Sequence, residues 1–106
     1  MVVELTKDNF NDVINSGKVV MVDFWAEWCM PCKIMEPVTE ELGKEMDPEK
    51  VVIAKCNVQS QQELAQRYSI FSIPSMLIFK NGKVMDQVVG AVPKKVLEDK
   101  IKTNIE

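Results

Sequence analysis

Two cysteines, Cys29 and Cys32, flank Met30 and Pro31. Thiols at this spacing across the first turn of a helix can close a small disulfide ring or reopen it with little movement of the backbone. Cys29, at the helix start, faces unpaired backbone N–H groups and the positive end of the helix dipole, and both favour thiolate over thiol. Thiolate is the nucleophile of disulfide exchange, so position alone makes Cys29 the attacking residue, deprotonated and open to an incoming S–S bond. Cys32, one turn further in and beneath it, is the resolving thiol that collapses the mixed disulfide. The same spacing is also half of a zinc site, which needs four ligands. The chain has no histidine, and Cys56 is its only other cysteine, so a carboxylate or a second subunit would have to complete such a site.

Asp23 interrupts the otherwise apolar Val19-Val20-Met21-Val22-Asp23-Phe24-Trp25. A carboxylate there costs several kcal/mol unless it is paired or protonated. Burial raises its pKa, which makes it a usable proton acceptor and donor near neutral pH, and its natural task is moving the proton of Cys32. The other reading is a partly wet carboxylate at a strand end. Lys55, in a neighbouring apolar stretch, is either the counter-charge of Asp23 or a lysine whose stem packs while its head reaches water. Trp25 and Trp28 bracket the loop before Cys29 and together suit the walls of a groove for apolar peptide surface. Met30 and Pro31 fix that loop, and Pro31 withholds a backbone donor where the helix start needs none. Cys56 reads as a small buried hydrophobe and the 7 methionines as packing rather than a cofactor box.

The elements that carry these residues follow from periodicity. Phe10, Val13 and Ile14 keep helical spacing between Thr6, a candidate N-cap, and the stop at Gly17. Residues 18–25 read as a central strand covered on both faces. A second helix begins at or near Cys29, with Met35, Val38, Leu42 and Met46 in register and Pro37 placed to bend it. Val51 to Val58 is another buried strand, and Ser60-Gln61-Gln62-Glu63 is a capping box that opens a third helix through Ala65 to Tyr68. Met76 to Phe79 reaches Asn81-Gly82, a strong hairpin signal, and returns as Lys83 to Val89. Gly90 breaks that strand. Pro93 suits the first turn of a last helix striped by Val96, Leu97, Ile101 and Ile105. With an extra strand at Val2 to Leu5, two strand–helix–strand crossovers and a hairpin imply a mixed sheet covered on both faces. Sites in such sheets form at the carboxyl ends of strands, where the loop after Trp25 lies.

At 106 residues the chain is one domain with room for a single core, and its 46% apolar and 27% charged side chains suit a chain that folds alone. A net charge of -3 without a Lys/Arg block argues against a nucleic-acid partner. The absence of histidine leaves thiols, carboxylates, amines and backbone for any chemistry. Three cysteines are too few, and an odd number, for a stapled secreted scaffold. No membrane span or targeting segment is visible, so a soluble protein of a reducing, cytoplasmic compartment is expected.

Phe24-Trp25-Ala26-Glu27-Trp28-Cys29-Met30-Pro31-Cys32-Lys33 closely resembles the active-site segment of the thioredoxin family. The resemblance extends to Asp23 as the buried acid, Lys55 as its basic neighbour, Pro37 in the second helix, and Ser69 to Ser75 as a loop holding a cis-proline. It implies an α/β thioredoxin fold over residues 1–106, with a central mixed sheet of four to five strands and helices on both faces. It implies a cis Ile73–Pro74 bond beside the cysteines and a substrate backbone lying along Ile73 and Pro74. Trp28, Met30, Pro31, Val58, Gly90 and Ala91 would border that groove, with the substrate adding to exposed backbone. The activity implied is protein-disulfide reduction by a monomer, without cofactor or metal, regenerated by a separate reductase. An oxidase, an isomerase, a glutaredoxin-like enzyme and a non-catalytic binding module are the alternatives. Relatives that donate disulfides usually carry histidine in the position of Pro31. The chain departs from the family pattern at Met30, where glycine is usual, at Phe71 and Ser72 on the groove rim, at Gln59, and in having Cys56.

Overall fold

A computed structural model describes residues 1–105. The chain runs β1 (Val2–Glu4), α1 (Phe10–Ile14), β2 (Val19–Trp25), α2 (Met30–Glu45), β3 (Val51–Asn57), α3 (Gln62–Arg67), β4 (Ser75–Lys80), β5 (Lys83–Val89) and α4 (Lys94–Ile105). The strands form one sheet in the order β1-β3-β2-β4-β5. β1, β3 and β2 are parallel, while β4 is antiparallel to both β2 and β5.

The unbroken apolar run of β2 suits its place at the centre of the sheet. Val19 to Phe24 are all buried, and alternation sends them to two cores. Val20, Val22 and Phe24 join Phe10 of α1, Leu64 of α3 and Phe79 of β4. Met21 points the other way, into a cluster with Met35 and Leu42 of α2 and Leu97 and Ile101 of α4. Each fully buried side chain of this size contributes about 1.5–3 kcal/mol, so the two layers together hold the sheet rigid between helix pairs. Phe10 and Phe79 meet edge to face, with ring centroids 5.9 Å apart.

The hairpin forms as expected. Asn81 and Gly82 have φ of 52° and 78° between the paired Lys80 and Lys83, the left-handed pair that a two-residue turn requires. The Gly82 N–H donates to Ile14 O at 2.9 Å, which fastens the turn to the end of α1. α4 starts just beyond Pro93. Pro37 lies inside α2, which nonetheless continues to Glu45.

Two expected caps are not made. Ser60-Gln61-Gln62-Glu63 does not close a capping box: α3 starts at Gln62, and its N-cap Gln61 makes no side-chain bond. The Asn57 Oδ1 instead accepts from the Gln59 and Ser60 N–H groups at 2.8 and 3.3 Å, and the Ser60 hydroxyl donates back to Asn57 O. An Asx turn leaving β3 has taken the serine that the box required. Thr6 likewise does not cap α1, which begins at Phe10 behind Asn9. The Asn9 Oδ1 accepts from the Thr6 N–H at 2.8 Å, and the Thr6 Oγ1 accepts from the Asp8 N–H at 3.2 Å.

Candidate active site at the Cys29–Cys32 disulfide

The end of β2 feeds the start of α2 through Ala26 to Cys29. Cys29 is the N-cap of α2, in an extended conformation, and Pro31 stands in the first helical turn, where its missing N–H costs nothing. Cys29 and Cys32 form a disulfide with their Cα atoms 5.3 Å apart. The Cys32 N–H donates to the Cys29 Sγ at 3.2 Å. One of the orphan donors of the helix start is therefore aimed at the sulfur, as the spacing predicted.

Access to that sulfur is narrower than expected. Cys29 is only 3% exposed in the disulfide form, and both cysteines pack in one cluster with Ala26, against Trp25, Val58 and Ile73. The Cys29 Sγ lies 3.7 Å from Ile73 O. Ile73–Pro74 is cis, and Pro74 O accepts the Gly90 N–H at 2.8 Å. The cis-proline loop thus closes one side of the sulfur and ties it to the end of β5. The segments that carry this seat also present exposed apolar side chains: Trp28 and Met30, each 66% exposed, Ile34 two residues after Cys32 and, at 91%, Phe71 two residues before Ile73.

Asp23 is 4% exposed on β2, facing α2. Its Oδ2 accepts the Thr39 hydroxyl at 3.1 Å, and its Oδ1 is buried with no hydrogen-bond partner among the described residues. Burial pushes its carboxyl up to about 6, opposed by the Thr39 hydrogen bond and by the Lys55 charge and assisted by the Glu36 charge. Asp23 and Lys55 are cross-strand partners in the parallel β2–β3 pair. The Lys55 Nζ sits 5.4 Å from the centroid of Trp25, a cation–π contact. Its charge therefore acts on Asp23 while its head rests on an aromatic face rather than reaching out into water. A cleft of about 330 Å³ joins Asp23, Cys32, Thr39, Glu36, Trp25 and Lys55.

The residues expected from sequence thus divide into two groups. Cys29, Cys32, Val58, Ile73, Pro74 and Gly90 come together around the disulfide, with Trp28, Met30 and Pro31 exposed or adjoining it along the chain. Ala91 follows Gly90 in the chain and is exposed. Trp25, half-buried, packs against the cysteine cluster and also lines the Asp23 cleft, whereas Trp28 is exposed. Cys56 is a free buried thiol in β3. Thr39 and Glu36 were not singled out from sequence. The available signal was the spacing of Cys32, Glu36 and Thr39 on α2, which puts them on one helix face.

A cysteine pair closing a disulfide over the first turn of a helix, at the carboxyl end of a central strand and next to a buried acid, defines a thiol–disulfide oxidoreductase. The Thioredoxin family profile matches residues 1–103, and the chain belongs to the thioredoxin family. It is 48% identical over 103 residues to thioredoxin 2 of Chlorobaculum tepidum, covering 96% of this chain and 94% of that one. It is 45% identical over 105 residues to thioredoxin of Buchnera aphidicola, covering 98% and 96%. Among solved structures, thioredoxin of Malassezia sympodialis superposes with a TM-score of 0.89 at 39% identity, covering 99% of this chain and 94% of that one. A mutant thioredoxin from Halobacterium salinarum also gives 0.89, at 32% identity and coverages of 98% and 90%. The activity is thiol–disulfide exchange with disulfide-bearing proteins, and a reductase is the partner that returns the dithiol. Among the described residues no helix is long and apolar enough to cross a membrane.

Proposed function

We propose that Cys29 is the nucleophile and Cys32 the resolving thiol of a protein-disulfide reductase. The Cys29 thiolate attacks one sulfur of a substrate disulfide, forming a mixed disulfide and releasing the other sulfur as a thiolate. Cys32 gives its proton to Asp23 and attacks the Cys29 Sγ. The Cys29–Cys32 bond forms, the bond to substrate breaks, and the second substrate sulfur leaves as a thiolate that takes up a proton. The substrate gains two electrons and the protein dithiol loses two.

The observation that carries this reading is the Cys32 N–H directed at the Cys29 Sγ at 3.2 Å. The same donor, together with the helix dipole, favours negative charge at that sulfur once the disulfide is reduced. The bond between Gly90 and Pro74 O and the approach of Ile73 O to the sulfur support a substrate backbone running past Ile73 and Pro74. Trp28, Met30, Pro31, Val58 and Ala91 would border it. The free, buried Cys56 suits a reducing, cytoplasmic compartment, where the chain would act as one domain and as a monomer. Proline at position 31 favours the reducing direction over disulfide donation.

A Cys32→Ser variant mixed with a disulfide-bonded protein should accumulate a covalent complex through Cys29, and Cys29→Ser should accumulate none. In the reduced protein, iodoacetamide should label Cys29 near neutral pH faster than it labels a free cysteine in a short peptide. Equal rates, or trapping through Cys32 instead, would reverse the assignment.

A further inference from the structure

We propose that Thr39 is a positioning residue for the resolving step: its hydroxyl pins one oxygen of Asp23, so that the other, Oδ1, is the atom that receives the proton of Cys32. The inference rests on the role given to Asp23 above and adds which oxygen acts and what selects it.

Thr39 stands in the buried stripe of α2 between Met35 and Leu42 and is 3% exposed. A hydroxyl there carries a desolvation cost unless it is bonded. Mid-helix threonines commonly bond back to the carbonyl four residues earlier, and Thr103 in α4 does so, donating to Asp99 O at 2.8 Å. Thr39 instead donates across the layer to Asp23 Oδ2 at 3.1 Å. The carboxyl plane is thereby held with Oδ2 occupied, and the unpartnered Oδ1 is left for exchange. Cys32, Glu36 and Thr39, at helical spacings of four and three residues, all line the same cleft as Asp23.

A hydroxyl donor also favours the charged carboxylate, the form that can accept a proton. The other charges facing Asp23 are Lys55 from β3, which acts in the same direction, and Glu36 from α2, which opposes it. Lys33 and Glu40 of α2 and Glu27 of the preceding loop stand at the rim of the cleft. From β4 the register partner of Asp23 is Met76, which carries no charge. Thr39 is thus the neutral group in the set that can fix both orientation and proton affinity.

Thr39→Val keeps the shape and removes the donor, while Thr39→Ser keeps the donor. Two readouts apply: the NMR titration of the Asp23 carboxyl carbon, and the pH profile of mixed-disulfide resolution, followed by release of an aromatic thiol from Cys29. Val at 39 should move both midpoints alkaline by about one pH unit, slowing resolution about tenfold on the acid limb and little above pH 8. Serine should restore both. If Val at 39 shifts neither midpoint, or if Ser fails to restore them, Thr39 does not position Asp23. Asp23→Asn provides the second arm and should remove the inflection that belongs to Asp23, leaving a rate that climbs with pH through the ionisation of Cys32 alone. If it does, and Val at 39 still shifts nothing, only the role of Thr39 falls. If the same inflection survives in Asp23→Asn, Asp23 is not the acceptor, and both readings are overturned.

Discussion

A carboxyl group sealed inside a central strand works against the folded state at neutral pH, and Asp23 puts a sign and a window on that effect. Its pKa is about 6 folded against 3.8 unfolded, so between those values the native state holds the proton that the unfolded chain has already released. Stability linked to this group is fully present below the unfolded value, declines as pH rises through about 6, and stays lower above it. Asp23→Asn removes the penalty and leaves Thr39 an acceptor. The variant should be more stable than the parent by up to about 3 kcal/mol at pH 7.5, with the gain shrinking toward zero near pH 4. Urea unfolding at a series of pH values would measure it, and a gain independent of pH would exclude Asp23 as its source. In the mechanism proposed above, the burial that makes this group destabilise the fold is also what poises it to accept a proton. Asp23 was legible in sequence, since an acid stands out in an apolar run. Thr39 was not, since a single threonine on a helix stripe gives no sign of what faces it across the layer.

Among the elements, the strands and the redox helix followed from pattern, whereas short helices were decided by competition at their ends. Six residues of α3 cannot hold themselves against a strong local turn. Asn57 takes the Ser60 hydroxyl and the Gln59 and Ser60 N–H groups, and a sequence motif of four residues does not record that rival partner. The Asn81-Gly82 turn had no such rival and formed as read. Its glycine has a second duty that sequence does not show: a Cβ there would run into the Asn15 Oδ1. Asn15 could move away only by giving up its Nδ2 bond to Asn11 O, 2.8 Å long. Gly82→Ala should therefore destabilise by about 2–3 kcal/mol, combining left-handed strain with that loss. Gly17→Ala shares the positive φ, +86°, but meets open space, so it should cost only about 1 kcal/mol. Thermal unfolding of the two variants side by side tests this, and equal losses would mean that backbone strain alone sets the effect.

On the scale of the whole molecule, the alternation of strands and helices specified a sheet with two covered faces, and the buried free thiol reports whether those faces open together. Cys56 lies fully buried on β3 beside Phe24, within the core shared by α1, α3 and the sheet. Burial, with the Glu4 charge assisting, pushes its thiol up to about 12. At pH 8 its thiolate fraction in the folded state is then only about 10⁻⁴, and no reagent reaches it without loss of packing. In the reduced protein, alkylation of Cys56 should be at least ~10³-fold slower than in the urea-unfolded chain, because it must wait for opening. If the two cores form one cooperative unit, the logarithm of its labelling rate should rise with denaturant at the slope of the global equilibrium transition. A flat dependence would mean that β3 opens locally, with the α1–α3 face able to part from the sheet while the α2–α4 face, which carries the redox pair, stays closed. The sequence could nominate Cys56 as core but not separate these cases, since cooperativity belongs to the joining of the two layers through β2 and not to any residue within them.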